Sequence, residues 1–350
     1  MIKASKISRG VKRILEYNMG LRNDETLVVI TDTPTIQEWQ DLGPERLEDM
    51  TARNLLARTI ADIAKKQFPK CNVTFQTYPS VRRRSAELGK EIEEIMKASD
   101  VVLALTTYSI SHTDARENAT KAGARIASMP RILEEMFYPT GSLTADYRRI
   151  RSQTLRLAEI LTGTSKIRIK TRTGTDLSLS LEGRRGIADT GALKTPGSWG
   201  NLPAGEAYIA PLEGTAQGVV VVERGWHPNL RATMRLLFEK EQLARIVGGG
   251  PVRRDLQTIL RPNDNSNPYL LRRNLAEFGI GTNPKARRCD NILEAEKIRG
   301  TVHIAIGDNT HMGGRVKADY HQDFIIPSPT VEADGARLIE NGKLRASSHI

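Results

Sequence analysis

The chain has 350 residues, 39% of them hydrophobic and 27% charged, a balance that suits folded domains with room for two of them. Its apolar runs, such as Val101-Val102-Leu103-Ala104-Leu105, are strand-sized and exclude a membrane span. The first residues, MIKASKISRG, lack the apolar core of a signal peptide. Cys71 and Cys289, the two cysteines, exclude a disulfide framework and a cysteine-rich metal site, so a cytoplasmic protein with reduced thiols is expected.

The net charge of +11 raises the question of nucleic acid. The basic residues are scattered, however, in short runs such as Arg82-Arg83-Arg84, Arg184-Arg185 and Arg287-Arg288. Aromatics make up 5% of the chain and none are interleaved with those runs as stacking platforms would require. A solvated basic surface, or some preference for anionic ligands, is the expectation, and no nucleic-acid partner.

From the N-terminus, strands and helices alternate. Thr26–Thr31 is a β-branched run that predicts a buried strand. Residues 44–67 repeat Leu47, Met50, Leu56, Ile60 and Ile63 at helical spacing, and Pro69 ends the pattern. Cys71–Tyr78 alternates as a strand, 86–98 reads as a helix, and Asp100–Thr106 as another strand. A short helix over 113–123 and a strand at Arg125–Ser128 follow. This β–α–β rhythm predicts a parallel sheet covered by helices. Ser142 is placed as the cap of a helix running to about residue 162.

After Gly163 the texture changes. Residues 166–173 and 175–181 alternate around Gly174 and predict a hairpin. Further strands are expected at Glu206–Ala210, Gly218–Glu223, Thr301–Ile306 and His321–Ile326. The fold class expected is α/β: an N-terminal parallel-sheet domain over 1–163, then a β-rich α+β catalytic domain over 164–350.

The first half contains no G-x-G-x-x-G and no G-x-x-x-x-G-K-[ST], so a nucleotide site is not expected. Gly248-Gly249-Gly250-Pro251 reads as a helix stop and turn.

The chemistry lies further on. On a strand, Val302, Ile304 and Ile306 share one face, whereas His303, Ala305 and Gly307 share the other, where small neighbours leave room for an ion or a substrate. His321 and Asp323 are two apart and project together. With His303 they form a candidate divalent-metal site. Glu206 and Glu277 open or occupy apolar strand contexts, where a carboxylate is costly unless paired or metal-bound.

The segments LPAGEAYIAPLEGTAQG, AEFGIGTNP, GTVHIAIGDN and HQDF are similar, in order, to those of the thermophilic metallo-aminopeptidases of the aminopeptidase T type. The resemblance spans about residues 165–345. It implies a homo-oligomeric exopeptidase that removes N-terminal amino acids from short peptides. Two ions (Zn, Co or Mn) would be held by Glu206, Glu277, His303, His321 and Asp323. Glu206 would bridge them, and Glu206 or Glu277 would carry the proton from water to the leaving amine. The chain departs from that pattern at Thr310, where those enzymes carry a tyrosine. Dihydroxypyridine ring-cleaving dioxygenases share the fold, as the same resemblance implies. Their single Fe(II) would be held by His303, His321 and Asp323.

Overall fold

A computed structural model describes residues 2–83, 86–239 and 242–345. Arg84 of the first basic run, and the last five residues of the expected second domain, lie outside the described residues. The chain divides into two units, Met1–Tyr147 with Gly191–Ala204, and Arg148–Thr190 with Gly205–Ile350.

The first four strands are β1 (Thr26–Thr33), β2 (Asn72–Pro79), β3 (Val101–Ala104) and β4 (Arg125–Ser128). Next come β5 (Lys166–Lys170), β6 (Asp176–Ser180) and β7 (Ile187–Asp189) of the second unit, and then β8 (Trp199–Asn201) of the first. The first unit is built on one parallel sheet in the order β2-β1-β3-β4-β8. Leu27, Val28, Val29 and Ile30 of β1 are all fully buried, because a parallel sheet is covered on both faces.

Helices α1 (Ala4–Arg13), α2 (Ile36–Asp41) and α3 (Pro44–Gln67) precede β2. Thr35 and Glu38 form a capping box at the start of α2, satisfying otherwise orphaned N–H groups. The spacing of Met50, Leu56, Ile60 and Ile63 buries one side of α3, which packs on β1. On the other face Val28, Ile30, Val102 and Ala104 meet α4 (Lys90–Lys97) and α5 (Asp114–Lys121).

Three local expectations are corrected. The helix expected over 86–98 starts only at Lys90, because Gly89 is extended at its N-cap. Ser142 caps no long helix: residues 142–144 form a single 3-10 turn, Ala145 is extended, and α6 runs Tyr147–Gly163. The glycine run at 248–250 ends a strand and opens a helix, rather than stopping one. There β12 (below) ends at Gly248 and α7 covers Gly250–Leu260, with Pro251 in its first turn, where a missing N–H costs nothing.

The remaining strands are β9 (Glu206–Ile209), β10 (Gln217–Val222), β11 (Met234–Glu239), β12 (Gln242–Gly248), β13 (Leu275–Gly281) and β14 (Val302–Gly307). They continue with β15 (His321–Ile326), β16 (Thr330–Ala333), β17 (Ala336–Glu340) and β18 (Lys343–Leu344). An eight-stranded sheet runs β12-β11-β10-β6-β5-β16-β17-β18, and a five-stranded sheet runs β15-β14-β13-β9-β7. Both are antiparallel, and β5–β6 is the expected hairpin. One core joins them: Ile169, Leu177 and Phe238 from the larger sheet cluster with Ile209, Phe278 and Ile304 from the smaller.

The class is therefore α/β, with a parallel-sheet unit and a β-rich unit. The division is not a single cut near residue 163, since α6 belongs to the second unit from Arg148 onward and residues 191–204 belong to the first. No helix among the described residues is long and apolar enough to cross a membrane, and both cysteines are free thiols.

Candidate metal centre

The five-stranded sheet buries one face and carries chemistry on the other. Along β14, Val302, Ile304 and Ile306 enter the core; the pleat turns His303, Ala305 and Gly307 the opposite way. The register sets His303 across from Gly279, and Ala305 between Glu277 on β13 and Asp323 on β15. Gly307 lies across from His321. On the far side Glu206 pairs with Gly281, and Asp189 with Glu206. A bulge between Leu275 and Glu277 interrupts the ladder and re-aims the Glu277 carboxylate.

All five residues singled out in the sequence share this face. Glu277 links the two histidines: its Oε1 is 3.2 Å from His303 Nε2 and its Oε2 is 3.3 Å from His321 Nε2. His321 Nε2 is also 3.6 Å from Asp323 Oδ1. One donor atom each from Glu277, His321 and Asp323 lies within 4.8 Å of the others. Glu206 Oε2 lies 3.5 Å from His303 Nε2.

Two glycines make these approaches possible. A Cβ on Gly279 would fall 2.1 Å from His303 Nε2, so only a glycine lets the imidazole lie over β13. A Cβ on Gly281 would fall 2.1 Å from the Ile298 carbonyl, so the turn bearing Lys297 could not close on the strand.

Burial opposes ionisation of Glu277, but hydrogen bonds from His303 and His321 outweigh it and hold the carboxyl well below its ordinary range. Burial likewise disfavours a charged His303, yet Glu277 and Glu206 raise its pKa to about 9. His321 is raised well above its usual value by Asp323 and Glu277, again against burial. For Glu206 burial dominates and pushes the carboxyl up to about 8 despite Lys297.

These residues suit a metal ion. An octahedral ion with bonds near 2.1 Å sets adjacent ligands about 3 Å apart. His321 Nε2 lies 3.3 Å from Glu277 Oε2 and 3.6 Å from Asp323 Oδ1, and these three donors form one group; His303, 3.2 Å from the other Glu277 oxygen, stands outside that group. An ion would take over the places of the protons now shared among them. His321 also donates from Nδ1 to the Asp308 carbonyl at 2.8 Å, which fixes the ring with Nε2 facing the carboxylates, as in protein metal sites generally.

Lys297 and Tyr208 were not singled out in the sequence. Lys297 sits in the charged run Glu294-Ala295-Glu296-Lys297, which reads as solvated surface, but its side chain is 1% exposed and ion-paired to Glu206 and Glu296. Tyr208 shares the face of Glu206, and burial raises its phenol pKa above the ordinary value. Position two along from Glu206 on a strand was the available signal for it. Thr310 is exposed and donates to Asp308 at 3.0 Å. His311 is exposed and sets its ring edge-on to His321, centroids 5.5 Å apart.

The sequence profile of the 2,5-dihydroxypyridine 5,6-dioxygenase family matches residues 11–346. A 2,5-dihydroxypyridine 5,6-dioxygenase of Pseudomonas putida is 23% identical over 271 residues, covering 73% of each chain. A solved 2,5-dihydroxypyridine dioxygenase from Pseudomonas putida KT2440 superposes with TM-score 0.71 at 17% identity, covering 99% of both chains. Wild-type AmpT from Thermus thermophilus superposes with TM-score 0.64 at 13% identity, covering 97% of this chain and 99% of that one, a likeness of fold alone.

The expected metallo-aminopeptidase, and with it the description as hydrolase and metalloprotease, is therefore corrected by the family match. The physical reason lies in where the resembling segments fall. They are β9, β13, β14 and β15, the strands that build the site-bearing sheet, and that scaffold does not set the reaction. The chain belongs to the 2,5-dihydroxypyridine 5,6-dioxygenase family.

Proposed function

We propose that this protein is a non-haem iron dioxygenase that opens the ring of a small dihydroxylated pyridine-type substrate. The observation that carries the reading is the convergence of His321, Asp323 and Glu277, with His303 against Glu277, in a chain of this family. His303, His321 and Asp323 make up the two-histidine, one-carboxylate set of oxygen-using iron enzymes. Glu277, between the histidines, is a fourth donor and holds both rings in place. When bound, iron(II) supplies the one-electron chemistry that lets dioxygen react with an electron-rich ring.

The protein's own part is placement and proton control. Ala305 and Gly307 keep the face open between the ligand strands. Tyr208, kept neutral by burial, is a hydroxyl donor for a substrate hydroxylate or ring nitrogen. Glu206 is hydrogen-bonded to Lys297, which withdraws it from the bridging role implied by the aminopeptidase resemblance. The two free thiols suit a reducing compartment such as the cytoplasm.

The test is oxygen uptake. Protein loaded anaerobically with iron(II) and given 2,5-dihydroxypyridine should consume dioxygen and bleach the ring absorbance. An iron-loaded protein that leaves both unchanged would refute the reading.

A further inference from the structure

Three carboxylates surround one buried ammonium next to the ligand cluster. Lys297 Nζ lies 2.9 Å from Glu296 Oε1 and 3.5 Å from Asp189 Oδ2, and donates to Glu206 Oε1. The lysine is delivered by its backbone. Its N–H donates to the Glu294 carbonyl at 3.0 Å, and its own carbonyl accepts from the Asn283 N–H at 2.9 Å. Gly281, with no Cβ, lets this turn close onto β13 beside Glu206.

Glu206 therefore faces two ways. One oxygen is bound to the ammonium; the other lies 3.5 Å from His303 Nε2 and has no hydrogen-bond partner among the described residues. A carboxylate set between a histidine donor and a second cation is the pattern of a bridged two-ion centre. Here the second cation is an ammonium, which has three donors and no position at which to bind and activate water. A divalent ion at that point would have to displace the ammonium from all three carboxylates.

We propose that Lys297 takes the place of a second metal ion beside Glu206 and so restricts this centre to a single ion. Lys297 is thus a specificity-determining residue, which separates one-metal from two-metal chemistry on this sheet. The inference rests on the metal centre proposed above, though not on ring cleavage.

The experiment counts ions without turnover. Chelator-treated full-length protein is titrated with Mn(II) or Co(II), and bound metal is read by equilibrium dialysis with elemental analysis. The wild type should hold about one ion per chain, and Lys297→Met about two, because the ammonium no longer occupies the place beside Glu206 and Glu296. A wild type holding two ions, or a folded Lys297→Met that still holds one, overturns the proposal. If Lys297→Met does not fold, Glu206→Gln decides. With Glu206 committed to lysine, that variant keeps its single ion with affinity changed less than about tenfold, the lower edge of outer-partner effects. Loss of the ion in Glu206→Gln overturns the proposal. Failure of ring cleavage alone, in a wild type that holds one ion, refutes the proposed reaction and leaves this inference standing.

Discussion

The two faces of the five-stranded sheet are one residue apart along every strand and opposite in character. Ile304 points into hydrocarbon and is fully buried; its neighbour His303 is equally buried, but among carboxylates. The contrast teaches that depth alone does not decide polarity here. The pleat sorts alternate side chains into two environments, and Glu206, Glu277, His303, His321 and Asp323 on the charged face each have an ionic partner, as buried charge requires. The apolar face fixes the strands, and strands fixed in register keep one donor each of Glu277, His321 and Asp323 within 4.8 Å of the others, with His303 against Glu277.

Breaking the charged face at its centre should have the largest effect. His321→Ala or Asp323→Ala removes a donor outright. Because losing even an outer partner of a metal ligand costs about 10–100-fold in affinity, iron retention on dialysis and oxygen uptake should fall by at least that much. Circular dichroism should stay near wild type. Retained iron and activity in both variants would place the ion elsewhere.

Breaking the apolar face should act through stability instead. Ile304→Ala leaves a cavity in the shared core and should cost about 2–5 kcal/mol, read as a lower denaturant midpoint. The fraction that remains folded should hold iron with unchanged affinity. A selective loss of iron affinity at unchanged stability would show that the faces are not separable in this way.

Gly279→Ala tests the close approach between strands. The added Cβ would meet His303 Nε2 at 2.1 Å, so either ring or strand must move. Overpacking of this kind costs about 1–3 kcal/mol, and iron affinity should fall with it. Wild-type melting and metal binding in this variant would mean that His303 does not lie over β13.

Thr310→Ala, at the rim of the charged face, is expected to do least. Thr310 is exposed and, among the described residues, its hydroxyl bonds to Asp308 in the same loop. Stability should change by no more than about 0.5 kcal/mol, and oxygen uptake should stay near wild type. A large loss would bring Thr310 into contact with substrate.

Much of the site was legible because it follows from alternation. Small residues beside His303, and His321 two residues from Asp323, already assign those side chains to a face. Glu206 and Glu277 stood out as carboxylates in apolar strands. Lys297 did not, because a lysine amid glutamates has the look of solvated surface. Only the approach of its turn to Gly281 buries it. The short strands β7 and β8, three residues each, were unreadable for a related reason: a run that brief has no periodicity, and its strand character comes from the neighbour it pairs with. The same holds for Gly248 to Pro251, whose role depends on the strand before it and the helix after it.

The amino-acid sequence by itself determined the class of fold, the order of most strands and helices, and the alternation that puts His303 opposite Ile304 and sets His321 and Asp323 on a common side of their strand, since hydrophobic period and residue type act locally. Tertiary structure decided that Glu277 stands between two histidines and that a buried ammonium occupies Glu206. Those facts depend on register and on how closely two backbones approach. Distances of 3 Å between residues far apart in the chain are set by packing, which no local pattern encodes.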